Sequence, residues 1–209
     1  SDVCSSDLAI LRATNCDADR GPVRVRADHV FVCAGATETP SLLRRSGITR
    51  NVGDSLRIHP MLKVAARFTE RIGAQDGDMS LLQIKEFWPD IVLGGAFFSR
   101  GHLAAILSTN WPETHDRAVD ADHMACYYVG VRGTGRGRVR PSTLEPGRTL
   151  VRYELSDEDI WNLSRGFARL SSLLLQGGAT EVLPAVGGVP AITSQVEAVR
   201  WLEIGRAHV

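Results

Sequence analysis

The stretch Val30–Ile48, VFVCAGATETPSLLRRSGI, constrains the fold of this chain more than any other. Four apolar or small residues lead into Ala34, Gly35 and Ala36, and a Thr-Pro pair follows at Thr39 and Pro40. A non-alternating apolar run is the pattern of a strand covered on both faces, so His29 to Cys33 is expected to lie inside a sheet. Thr39 as N-cap and Pro40 at the first helical position predict a short helix with Leu42 and Leu43 facing inward, closed by Gly47 after Ser46. Small residues at such a strand end have two readings. They let a ligand approach the main chain, or they permit tight strand-to-helix packing.

Around this unit the pattern is of strands and turns. Leu8 onward reads as a short strand, Asp19 to Pro22 as a turn, and Val23 to Val25 as a second strand. Beyond Asn51 the texture turns to antiparallel sheet with inserted helices. LKVAARF, MSLLQIKEF and MACYYVGVR read as strands, and GRVRPSTLEPGRTLVRYEL reads as two strands joined at Glu145-Pro146-Gly147. Ser156 opens a helix as cap, with Asp159 at its third position. Ile160, Leu163, Phe167, Leu170 and Leu174 recur at helical spacing before Gly177-Gly178.

Composition excludes some partners. The 209 residues balance 24 basic against 24 acidic side chains, so no global charge draws the chain to nucleic acid or an anionic membrane. Of the basic residues 22 are arginine and 2 lysine, which reads as GC-rich coding bias. The longest apolar runs fall well short of the roughly 20 residues of a bilayer-spanning helix. Cys4, Cys16, Cys33 and Cys126 have no metal-site or disulfide-framework spacing and are expected to be free thiols.

Both ends read as foreign. The tail IGRAHV back-translates to a string whose reverse complement encodes DVCSSD, the sequence of residues 2 to 7. That relation matches a sequencing adapter translated at both ends of an assembled fragment. Residues 1–8 and 204–209 are therefore set apart as non-native, and no targeting signal can be read.

Residues 35 to 48 present Gly-Ala, Thr-Pro, Leu-Leu and Ser-Gly-Ile at fixed spacing. They resemble the second signature of the glucose-methanol-choline (GMC) oxidoreductase family. NVGDSLRIHP, residues 51 to 60, is similar to that family's N-V-G-x-x-L-x-x-H-P segment. VRYELSDEDIWNLSRGFARLSSLLLQGGATEVLP is similar to its substrate-domain helix and following strand. Thr49 departs from the signature's usual glycine, and only Thr49 and Arg50 separate two motifs that many members hold further apart.

The resemblance implies an α/β protein: part of an FAD-binding, doubly wound (Rossmann-like) domain over residues 9–60, joined to an antiparallel-sheet α+β substrate domain over 61–203. It implies FAD as cofactor, passing beside Ala34, Gly35 and Ala36, with Thr39 and Pro40 fixing the next helix. It also implies hydride transfer from a small-molecule alcohol or sugar to flavin N5, with an electron acceptor the sequence does not name. The G-x-G-x-x-G phosphate turn does not occur here, and GTGRGR at 133–138 leads into a strand. The family's catalytic pair would lie beyond residue 203, so no catalytic residue is assigned and the fragment alone is expected to be inactive. A non-catalytic binding or assembly module is the alternative.

Four further groups bear on chemistry. His59 is expected to hydrogen-bond structurally and not to act as a base. His115, Asp116, Asp120, Asp122 and His123 offer metal-ligand chemistry but fit no defined loop and are expected to be a solvated loop. Arg132, Arg136, Arg138 and Arg140 alternate as on an exposed strand face. Trp88, Trp111, Trp161 and Trp201 are expected in the core or a pocket lining.

Overall fold

The computed structural model describes residues 8–11, 23–78 and 82–204. The predicted turn at Asp19 to Pro22, Cys4 and Cys16, and nearly all of both foreign-looking ends lie outside them. The chain is a mixed α/β protein with antiparallel sheet, and it divides into two compact units: residues 1–53 with 139–151, and residues 54–138 with 152–209.

In the first unit, β1 (Leu8–Leu11) pairs antiparallel with β2 (Val23–Arg26). Helix α1 spans Gly35–Arg45. It starts earlier than predicted: Ala34 precedes it, and Pro40 lies inside it. The Thr39 hydroxyl accepts a hydrogen bond from the Ala34 amide at 3.1 Å, so it serves the turn before the helix from within the helix. Pro40 removes the amide that would have paired one turn back. Ser41, not the leucines, is the buried residue of α1, and Leu42 is exposed. The close of the helix is as expected, with Ser46 as cap and Gly47 at φ +85°.

The expected strand from His29 to Cys33 is absent. This segment pairs with no strand among the described residues, and Val30 and Phe31 are 55% and 87% exposed. A continuous apolar run reports that a segment belongs in a covered environment; it does not supply the partners that cover it.

The second unit is built on a five-stranded sheet in the order β4-β5-β6-β3-β9, with all neighbours antiparallel. Its strands are β3 (Met61–Phe68), β4 (Gln83–Ile84), β5 (Ile91–Gly95), β6 (Met124–Val131) and β9 (Ala179–Pro184). Of MSLLQIKEF only the two residues of β4 are strand among those described, and β5 was not foreseen. On one face Val64, Ile91, Leu93, Val129, Val131 and Val182 pack against α4 (Asp157–Gln176) through Phe167, Leu170 and Leu174, and against α5 (Gln195–Ile204) through Ala198. Gly166 brings α4 close, because a Cβ there would press into the Val129 side chain.

On the other face, Ala65, Met124, Cys126 and Leu183 are covered by α2 (Arg100–Leu107) together with Phe98 and Ala121. From α2 the chain runs through a 3₁₀ turn, the short α3 (Trp111–Thr114) and a 3₁₀ segment over His115–His123. This last stretch was expected to be a loop. Its carboxylates meet arginines: Asp116 with Arg117, Asp120 with Arg67, and Asp122 with Arg71. Hairpin strands β7 (Arg136–Pro141) and β8 (Thr149–Glu154) join at a turn in which the Arg148 amide donates to the Glu145 carbonyl at 3.1 Å and Gly147 takes φ +90°.

The start of α4 ties the second unit together. Ser156 caps the helix by accepting from the Asp159 amide at 3.1 Å, and the Asp159 carboxylate accepts from the Ser156 amide at 3.1 Å, completing a reciprocal box with Asp where Glu or Gln is usual. The same carboxylate accepts from the amides of Thr134 and Gly135 at 2.7 and 2.9 Å and from the Thr134 hydroxyl at 3.1 Å. Gly135 of GTGRGR thus faces an internal anion, and the sequence enters β7 as expected.

Burial of Asp159 pushes its pKa up, but the amides of Thr134, Gly135 and Ser156 outweigh that, and the net shift is below the ordinary 3.8. A carboxylate with a lowered folded-state pKa contributes stability that is present above the unfolded value and lost as pH falls through the folded one. Asp159→Asn is therefore expected to destabilise the protein by about 3 kcal/mol at neutral pH, since charge-assisted bonds to a buried group are lost. In urea titrations the deficit against the parent should shrink as pH drops below about 4. Equal midpoints at neutral pH would contradict this role.

Candidate functional site

Period-two alternation decides which side chains reach the sheet's second face. In β6 these are Cys126, Tyr128 and Gly130; opposite them in β3 stand Ala65, Lys63 and Met61, and in β5 Gly94 and Val92 oppose Tyr128 and Gly130. The half bearing Ala65 and Cys126 lies under α2. The other half is the floor of an open cleft of about 990 Å³ within the second unit.

Two glycines shape that floor. A Cβ at Gly94 would stand 2.9 Å from the Tyr128 ring, so glycine lets the ring lie across β5. There the Tyr128 hydroxyl accepts from Gln83 Nε2 at 2.6 Å, and Lys63 Nζ sits 5.1 Å from the ring centroid. At Gly130 a Cβ would meet His59 Nε2 at 2.9 Å, so the imidazole lies over the strand at that point. Val92 and Met61 add apolar floor, and Trp88, 67% exposed, stands at the edge. Arg57, Lys85, Arg132 and Gly133 also line the cleft. Gly133 adjoins the loop that Asp159 holds, so the capping box of α4 also fixes this wall.

Of the residues singled out in sequence, His59 and Arg132 line the cleft, as does Trp88. Arg136 and Arg138 are exposed on β7, while Arg140 donates to the carbonyls of Gly53 and Val139 at 2.7 and 2.8 Å. Trp201 packs edge-on against Phe167 in the core, and Trp161 is half-buried beside Arg165. Trp111 is 47% exposed, contrary to expectation, because α3 presents it outward. Tyr128, Gln83, Lys63 and Lys85 carried no motif; alternation in MACYYVGVR was the one signal that put Tyr128 on the Cys126 face.

Ala34, Gly35, Ala36, Thr39 and Pro40 lie in the first unit, at the start of α1. Ala34, Gly35 and Ala36 are exposed, and Thr39 and Pro40 are half-buried. Gly35 has φ +77°, a left-handed conformation that favours glycine, and a Cβ built there meets nothing within 4 Å. The turn leading into α1 is open at this point.

Residues 11–61 match the sequence model described as GMC oxidoreductase, which takes in this turn and the Asn51–Pro60 segment. The matched segment belongs to the GMC oxidoreductase family. An uncharacterized GMC-type oxidoreductase of Sinorhizobium fredii is 37% identical over 168 residues, 79% of this chain and 33% of the relative. One from Mycobacterium tuberculosis is 33% identical over 177 residues, 83% of this chain and 28% of the relative. A long-chain-alcohol oxidase of Arabidopsis thaliana is 27% identical over 170 residues, 73% of this chain and 22% of that enzyme. The chain thus spans about a third or less of the length of these curated relatives. No solved structure matches it significantly. Among the described residues, no helix is long and apolar enough to cross a membrane.

The described thiols differ in environment. Cys126 is buried on the covered half of the sheet face, and that burial pushes its pKa up to about 11 despite the charge of Lys63. Cys33 is exposed, and both are free. Brief treatment with iodoacetamide at neutral pH, followed by peptide mass spectrometry, is expected to modify Cys33 and leave Cys126 unmodified until denaturant is added. Equal labelling of both in the native protein would show that the sheet face is not covered as described.

Proposed function

We propose that the full-length protein is an FAD-dependent oxidoreductase that oxidises the CH–OH group of an alcohol or sugar. The observation that carries this reading is the exposed, unobstructed rim Ala34–Ala36 inside the segment matched to the GMC family. The rim fits a dinucleotide: no side chain larger than methyl stands on it, Gly35 is free of obstruction, and Gly35 and Ala36 open an 11-residue helix. Ala34, Gly35 and Ala36 would lie alongside the cofactor. Thr39, through its bond from the Ala34 amide, and Pro40 would hold the turn in shape.

FAD, when bound, supplies the acceptor for the hydride leaving the alcohol carbon as the hydroxyl proton is lost and a carbonyl forms. This chain contributes placement. Residues 9–60 belong in this reading to the Rossmann-like FAD domain and 61–203 to the substrate domain, with the sheet cleft as the substrate's floor. The exposed Val30 and Phe31 belong against further strands of the FAD domain, drawn from the length of the relatives that this chain does not span. The catalytic pair is assigned to the same remaining length. The name of the Arabidopsis relative supports an alcohol as the substrate type.

Ala36→Trp in the full-length protein tests the rim without straining the backbone, since Ala36 is exposed and helical. The flavin absorbance of the purified variant is expected to fall several-fold at an unchanged thermal midpoint. Full flavin occupancy in this variant would refute the placement. Purified wild type devoid of flavin, and inert toward alcohols after reconstitution with FAD, would refute the function.

A further inference from the structure

The cleft over the second unit's sheet has a one-sided charge. Arg57, Lys85 and Arg132 line it together with His59, and no Asp or Glu is among its lining residues. Over the whole chain charge is balanced, 24 basic against 24 acidic side chains, so this one-signed lining is a local feature. Several other described arginines meet carboxylates: Arg67 meets Asp120 and Glu181, Arg71 meets Asp76 and Asp122, and Arg148 meets Glu145. Arg57, Lys85 and Arg132 form no ion pair among the described residues; Arg57 only donates to the Gly133 carbonyl, at 3.4 Å. Two acidic residues close in sequence to Lys85 and Arg132 do not compensate those cations. Glu86 lines a separate cavity beside Arg169, and Asp90 engages Arg132 through main chain only, its carbonyl accepting from the Arg132 amide.

Lysine usage points the same way. The chain has two lysines, Lys63 and Lys85, and both belong to this place: Lys85 lines the cleft, and Lys63 lies over the Tyr128 ring that forms its floor. Beneath the charges Met61 and Val92 give the floor an apolar strip, with Trp88 at its edge. A concave site of one sign with low-dielectric walls concentrates the opposite charge, and exposed cations without partners gain charge-assisted hydrogen bonds when a carboxylate arrives. A neutral alcohol would use the floor alone.

We propose that this cleft takes an alcohol bearing a carboxylate: a hydroxy acid whose carbon chain lies on the Met61–Val92 strip beside Trp88 and whose carboxylate meets the Arg57, Lys85 and Arg132 rim. The inference rests on the alcohol-oxidising reading above and narrows its substrate class.

The test uses the full-length, flavin-loaded protein with two probes of equal chain length, ω-hydroxydecanoate and decanol, plus calorimetric titration with decanoate, which carries the anion but no alcohol. Wild type is expected to show the higher kcat/KM for ω-hydroxydecanoate, through KM, with the preference shrinking as salt is raised. The double variant Arg57→Glu with Lys85→Glu should lower the kcat/KM ratio of hydroxy acid to alcohol about tenfold and abolish decanoate binding. Arg136→Glu, on the exposed strand β7, should leave that ratio as in wild type. Equal or better turnover of decanol by wild type, or a ratio indifferent to the double reversal, overturns the inference while leaving alcohol oxidation standing. Turnover of neither probe removes the oxidase reading. In that event, decanoate binding lost in the double variant upholds the anion site, and absence of binding to wild type overturns it.

Discussion

The second unit depends on one buried carboxylate. Asp159 is fully buried, yet it stays ionised because three main-chain amides and a hydroxyl point at it. Removing it would leave those amides without a partner in a place water does not reach, which is costlier than losing an exposed ion pair. Through those bonds the first turn of α4 is welded to the Thr134–Gly135 loop, and that loop continues from β6 past the Gly133 wall of the cleft. Helix capping, sheet position and cleft shape are therefore one arrangement.

The sheet's two faces divide the labour. One is sealed by α4 and α5 and supplies the core; the other is sealed over only half its width by α2. Where α2 stops, strand positions that would otherwise carry aliphatic side chains hold Lys63, Tyr128 and two glycines. Gly94 and Gly130 let large polar rings, Tyr128 and His59, lie flat across neighbouring strands. Such a face is unfavourable as core and suited to ligand. The first unit carries a bare turn into α1 in the segment matched to the family.

Much of this was legible in sequence. Ser156 with Asp159, the 3.6-residue recurrence from Ile160 to Leu174 and the alternation in LKVAARF each state a local preference that the fold keeps. The family signatures were equally plain. What failed depended on partners beyond the local window. His29–Cys33 reads as a central strand, yet the described residues offer it no neighbour. Thr39-Pro40 reads as a helix start, but Gly35's left-handed turn begins the helix earlier. β5 escaped notice because its LGG ending lacks a strand's bulk, and Gly94 of that ending is what seats Tyr128. The cleft itself had no motif, since its cations come from three separate segments that only the register of the sheet brings together.

The central claim is that the uncovered half of this sheet face receives the substrate. A crystal structure of the full-length protein soaked with ω-hydroxydecanoate decides it most directly. The account predicts electron density along Met61, Val92 and Tyr128, with the carboxylate turned toward Arg57, Lys85 and Arg132. Density for the probe at another site, with this face left to solvent or filled by another part of the chain, would contradict it.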